Sequence, residues 1–183
     1  QSISLTVQES SNLALLEAGD IVYVARANVP RLMNTPIEPG TRLPAHTTAA
    51  GRIILAQLPK AEVEAWLADH PLPAYTPHTV KSREAFLAEI EAARESGYCA
   101  VESQYEMGLR GIAVPRIRRG GGVVGALGVS MASSSCELEE ARERVVLERA
   151  VGGVSATVVD HVEGGLALLV GDARHRHDLR RVG

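Results

Sequence analysis

The sequence predicts an α+β fold, an antiparallel sheet with helices packed mainly on one side, and three observations predict it. Two apolar runs, Asn12 to Ala18 and Asp20 to Ala27, flank Gly19-Asp20 like the arms of a β-hairpin. Helical spacing then dominates from Thr47 to Gly97. A second hairpin follows, Arg110 to Ile117 and Val123 to Met131 across Arg118 to Gly122. Strands, then helices, then strands joined by tight turns are the order of an α+β domain.

Each element has a local reason. Ile21, Val22, Tyr23 and Val24 form a continuous apolar run, which predicts a strand covered on both faces. Arg31 to Thr35 predicts a short strand before Pro36, Pro39 and Gly40 break the pattern. Arg42 to Ala45 is an extended, proline-interrupted lead into a helix capped by Thr47 or Thr48, with Ile53, Ile54 and Leu58 at helical spacing. Lys60 to Asp69 predicts a second helix that buries Val63, Trp66 and Leu67 and stops at His70-Pro71. Ser82 caps a third, with Phe86, Ile90 and Ala93 as its buried stripe and Gly97 as its C-terminal turn. Tyr98 to Ser103 predicts a strand, and the Ser134/Glu137 capping box predicts a last helix to about Asp160.

Composition narrows the function classes. A chain of 183 residues, 45% hydrophobic and 22% charged, is long enough for one domain with a real core. A net charge of −3 gives no general attraction to a phosphate backbone, so DNA binding by this chain alone is expected to be weak. Cys99 and Cys136 are far apart and lack metal-ligand spacing, which fits a reducing cytoplasmic compartment. No apolar run is long enough for a transmembrane helix, and no secretory signal is visible.

Two patterns point to a ligand site, and each has a plainer reading. The Thr47-Thr48-Ala49-Ala50-Gly51 helix start is built of small residues, which either expose backbone N–H groups to an anion or allow close approach of a neighbour. Alternation along the second hairpin places Gly111 and Ala113 on one face, with Ala126, Gly128 and Ser130 sharing a face as well. That strip of small residues either seats a helix closely or leaves a hollow.

The segments LPAHTTAAGRIILAQLP, RESGYCAVESQYEMGLRGIAVPRI and VVGALGVSM, in this order and spacing, resemble the effector-binding domain of IclR-type bacterial transcriptional regulators. The likeness runs from Ser4 to Asp160, so the resemblance implies a GAF-like sensing domain over residues 1–160; beyond it, the arginine-rich residues 161–183 read as a basic, mobile extension. It implies a winged helix-turn-helix domain upstream, outside a chain that starts at Gln1, through which alone operator DNA would be bound. It further implies a homodimer or homotetramer, no cofactor, no metal and no catalysis. By position the effector-binding residues are Thr48, Ala49, Ala50, Glu102, Gly111, Gly128 and Ser130, converging on a small organic acid. RLMNTPIEPGTR, residues 31–42, resembles the branch that controls aromatic-acid catabolism through protocatechuate and β-ketoadipate.

The chain departs from that pattern at informative places. Glu102 and Gln104 stand where relatives often carry an acid pair, Gly111 where a cysteine or serine often follows GLR, and Gly128 where asparagine or serine is common. The pocket is therefore expected to be roomier and less polar than one built for a two-carbon or three-carbon acid. Other motifs carry less. Gly120, Gly122 and Gly125 satisfy GxGxxG but lead into a strand, so no helix start is available for a pyrophosphate. Arg116, Arg118 and Arg119 read as a solvated turn, His46 as a hydrogen-bonded structural residue, and His175 with His177 as part of the tail. The alternative from another class is a small thiol-dependent enzyme on a GAF-like scaffold using Cys99 or Cys136, which would need a base brought close by the fold.

Overall fold

In the computed structural model of the chain, the described residues are 11–27, 37–117, 122–135, 139, 140 and 143. They form strands β1 (Ser11–Glu17), β2 (Asp20–Ala27) and β3 (Arg42–Pro44), a 3-10 turn (Ala45–Thr47), and helices α1 (Ala49–Leu55), α2 (Lys60–Asp69) and α3 (Arg83–Ser96). Strands β4 (Cys99–Glu102), β5 (Leu109–Ile117) and β6 (Val123–Ala132) complete a six-stranded sheet in the order β3-β2-β1-β6-β5-β4. Every neighbouring pair is antiparallel. Pairing of β1 with β6 joins the two hairpins into one surface, and that long-range register brings β1 and β2 to the site.

The first hairpin turns at Ala18-Gly19, one residue earlier than the sequence predicts, because Glu17 pairs with Asp20. Ala18 takes the left-handed φ of 55°. Gly19 is needed for room instead, since a Cβ there would lie 2.5 Å from His70 Cδ2. The turn also holds the rest in place: its Ala18 and Gly19 carbonyls accept from Trp66 Nε1 and from the Ala45 amide, both at 3.0 Å. The 3-10 turn before α1 therefore hangs from the hairpin.

β2 is covered less evenly than its apolar run predicts. Ile21 and Tyr23 are buried while Val22 and Val24 are half-buried, so the strand alternates. The extended lead into α1 is the edge strand β3, paired with β2 through Arg42 to Pro44. Helix α3 follows expectation, with Phe86, Ile90 and Ala93 buried and Gly97 ending it in the left-handed conformation at φ 73°. The main core lies between helices and sheet, around Ile21, Ile53, Leu55, Phe86 and Ile90. On the opposite face, Ile112, Val114, Val129 and Met131 form a second buried cluster. The predicted strand at Arg31 to Thr35, nearly all of the helix from Ser134 to Asp160, and residues 161–183 lie outside the described residues.

Candidate functional site

The site grows from the start of α1. Thr48, in extended conformation, is the cap: its Oγ1 accepts from the Gly51 amide at 3.1 Å. Thr47 is not a cap; its hydroxyl donates to the Pro44 carbonyl at 3.0 Å and secures the preceding turn. All seven residues of α1 are buried. Smallness at Gly51 serves contact, because a Cβ there would lie 2.2 Å from the Ala45 carbonyl oxygen and 2.5 Å from Ala45 Cα. Ala49 and Ala50 instead face the sheet and a cavity.

Under α1 runs the small-residue strip. The register pairs Gly111 with Ser130, Ala113 with Gly128 and Pro115 with Ala126, so the small positions of both strands share one face. Both plain alternatives are realised side by side. A Cβ on Gly111 would sit 3.6 Å from Ala49 Cβ, ordinary contact, so the helix start rests closely on the strip. Beside it a hollow remains, bounded by the α1 start, the strip, β1–β2 and the loop at Gln104-Tyr105.

Six of the seven residues predicted for the site border this hollow: Thr48, Ala49, Ala50, Gly111, Gly128 and Ser130. Glu102 does not, which corrects its placement in the site. On β4 it is Val101 that packs into the core, and strand alternation turns Glu102 the other way. There its carboxylate accepts from Arg110 Nε at 3.1 Å and Nη2 at 2.8 Å. Asn12, Tyr23 and Tyr105, which the sequence reading missed, border the hollow together with Gln104. Asn12 is the cross-strand partner of Gly128, a relation that only the β1–β6 register reveals.

The expectation of a weakly polar lining holds, since most of the residues around the cavity are apolar, but the expectation of a roomy pocket is corrected. The cavity volume is about 40 Å3, room for a few water molecules. Space released at Gly128 is taken by Asn12, whose Oδ1 lies 3.0 Å from where a Cβ would stand. Polarity is supplied by Asn12, Ser130 and Tyr23. Asn12 Nδ2 donates to Ser130 Oγ at 3.4 Å, and the Tyr23 phenol faces Ser130. Burial pushes the Tyr23 phenol up to about 12, against the lesser effects of Ser130 and the Arg26 charge, so it stays protonated at neutral pH.

A buried cation ties the walls together. The Arg52 guanidinium, from α1, donates to the His46 carbonyl at 2.6 Å, to Gln104 Oε1 at 2.7 Å and to the Glu89 carboxylate of α3. It also lies 5.6 Å from the centre of the Phe86 ring. Gln104 is fixed further, accepting from the Val80 amide at 3.0 Å and donating to the His78 carbonyl at 2.7 Å. His46 binds the Pro73 carbonyl through Nε2 at 3.0 Å, and burial lowers its pKa. It is a structural histidine.

A thiol mechanism finds no support at Cys99. Burial pushes its thiol up to about 12, so no thiolate nucleophile forms at neutral pH. Cys136, His175 and His177 lie outside the described residues. Among the described residues, no three His, Cys, Asp or Glu side chains gather as a metal site, and no helix is long and apolar enough to cross a membrane.

A small cavity with convergent neutral polar groups, walled by a capped helix start on an antiparallel sheet, defines a small-molecule-binding domain of the GAF-like class. Over residues 1–156 the chain matches the family "Bacterial transcriptional regulator IclR C-terminal", and it belongs to that family as its effector-binding domain, not as an enzyme. It is 41% identical over 129 residues to the Pca regulon regulatory protein of Pseudomonas putida, a match covering 70% of this chain and 44% of the relative. The chain thus spans less than half the length of that regulator. A transcriptional regulator from Rhodococcus sp. RHA1 superimposes with a TM-score of 0.77 at 38% identity, covering 82% of this chain and 61% of that one. The PobR inducer-binding domain from Acinetobacter, a double mutant in complex with 3-hydroxybenzoic acid, matches at 0.72 and 25% identity, covering 81% and 91%. An IclR homologue from Microbacterium hydrocarbonoxydans complexed with 4-hydroxybenzoate matches at 0.68 and 30% identity, covering 79% and 61%.

Proposed function

We propose that the cavity beside α1 binds a small organic acid of the aromatic-catabolism class, an aromatic acid or a ring-cleavage product, as the regulatory effector. The observation that carries this reading is the convergence of a buried helix start and a small-residue strip on one cavity, within a family of regulators. The Pca regulon relative and the two hydroxybenzoate complexes support the chemical class. First-turn amides without intrahelical partners face the carboxylate, and the strip faces the ligand's body. A cavity of about 40 Å3 is small for such an acid, so binding is accompanied by movement of side chains around it.

The wider reading follows the family. Residues 1–160 act as the sensing domain and 161–183 as an extension, copies of the domain pair, and occupancy biases how the pair holds upstream helix-turn-helix domains on operator DNA. The isolated chain then binds DNA weakly, as its net charge of −3 requires. Sedimentation showing only monomer at high micromolar concentration would contradict the pairing.

Calorimetric titration of folded variants tests the site. Ala50→Asp places a carboxylate at the helix start, and Gly128→Leu evicts Asn12 and fills the hollow. Each should weaken binding of 4-hydroxybenzoate by at least about tenfold, or roughly 1.4 kcal/mol. If both variants bind as tightly as the parent, the site lies elsewhere.

A further inference from the structure

Aromatic residues are scarce in this chain, and the cavity collects them. Phe, Trp and Tyr make up 3% of the sequence, with four tyrosines. Tyr23 and Tyr105 border the cavity, and Tyr75 lies against Tyr105 with ring centres 5.1 Å apart. Tyr23 stands on β2 and Tyr105 in the loop after β4, so the two come from different walls. Aromatic side chains at a cavity suit a ring.

Around the same cavity three neutral polar side chains from three strands meet: Tyr23 of β2, Asn12 of β1 and Ser130 of β6. Tyr23 and Asn12 are 4% and 5% exposed, so each was taken out of water at a cost that hydrogen bonds must offset. The bonds described are few. Asn12 donates to Ser130 across a long 3.4 Å, which leaves the rest of its amide for another partner. Ser130 is shared by both neighbours and keeps acceptor capacity. Together the three offer donors and acceptors, and all are uncharged, since the buried Tyr23 phenol stays protonated.

We infer that Tyr23, Ser130 and Asn12 form a subsite that reads a neutral hydroxyl group on the body of the effector, selecting a hydroxylated ring acid over the bare ring acid. This inference rests on the functional reading above and narrows it. A hydroxyl both donates and accepts, which matches the group. A second carboxylate would only accept, leaving the Asn12 carbonyl oxygen without a donor and its own buried charge without a cation partner. Among the described residues around the cavity the charged one is Arg110, already held by Glu102.

The test is calorimetry of the full 183-residue chain with 3-hydroxybenzoate, 4-hydroxybenzoate, benzoate and adipate. A site built around a hydroxyl leaves buried polar groups unpaired when it is missing, so the better hydroxybenzoate should bind at least about tenfold tighter than benzoate. In Tyr23→Phe, and independently in Ser130→Ala, that ratio should shrink to about threefold or less, with melting temperatures confirming that the variants fold. Equal affinity for benzoate and both hydroxybenzoates overturns the inference while leaving the site as an aromatic-acid site. So does an undiminished ratio in both variants. Tighter binding of adipate overturns it in favour of a dicarboxylate, and absence of binding by all four acids overturns the functional reading itself.

Discussion

Helices α1 and α3 start alike and are used differently. Each is capped by a hydroxyl that accepts from the amide three residues on, Thr48 from Gly51 at 3.1 Å and Ser82 from Ala85 at 3.0 Å. In α3 the first turn is solvent-exposed and carries Glu84, whose charge answers the helix dipole. In α1 the first turn is buried and holds no acidic residue. Where α3 has Glu84 and Ala85, α1 has Ala50 and Gly51. One start is electrostatically complete on its own, and the other leaves its positive end facing a cavity. Capping is therefore a local property, while function depends on what the fold places in front of the cap.

Substitutions at matched positions sharpen that contrast. The largest effect is expected at the third helical residue. Gly51→Ala should gain ~1 kcal/mol of helix propensity, but its Cβ would meet the Ala45 backbone at 2.2 Å. The clash decides the sign, and urea unfolding should show a net loss of ~3 kcal/mol or more. The exposed counterpart Ala85→Gly should cost only about 1 kcal/mol. Next come the caps. Thr48→Ala leaves a buried amide unsatisfied and should cost ~2 kcal/mol, against ~1 kcal/mol or less for Ser82→Ala. Equal losses in the two helices would break the distinction.

The smallest effect is on pH dependence, and it belongs to the α1 side. Burial lowers the pKa of His46 below its ordinary 6.5, with the Arg52 charge acting the same way and the Pro73 hydrogen bond opposing both. The unfolded chain therefore binds the proton more readily than the folded one. The contribution of His46 is fully present above pH ~6.5 and is lost as pH falls below that value toward the lowered folded-state pKa. Urea midpoints should drop between pH 7 and pH 5.5, and His46→Gln should lessen the drop. An unchanged slope in that variant would assign the effect to other groups.

Much of the frame was legible because it is local. Cap residues, the Phe86/Ile90/Ala93 stripe, the Gly97 stop and the small face of the second hairpin all follow from short-range periodicity and turn chemistry. The errors sit where registers between distant segments decide. Nothing near Asn12 announces that it opposes Gly128, so the sequence does not disclose the residue that fills the pocket. Glu102 failed by parity. A strand that turns Val101 inward must turn its neighbour away, and one position of shift exchanges the faces. Tyr23 looked like one more member of an apolar run, and only its approach to Ser130 makes it a polar wall.

The claim that the buried helix start and the small-residue strip together form the effector site is tested most directly by a crystal structure of the 183-residue chain grown with 4-hydroxybenzoate. The predicted result is density for the acid between Ala50 and Gly128, with its carboxylate toward the Thr48 to Ala50 turn and its hydroxyl within hydrogen-bond distance of Tyr23 or Ser130. The acid ordered elsewhere on the domain, with this cavity holding only water, would contradict it.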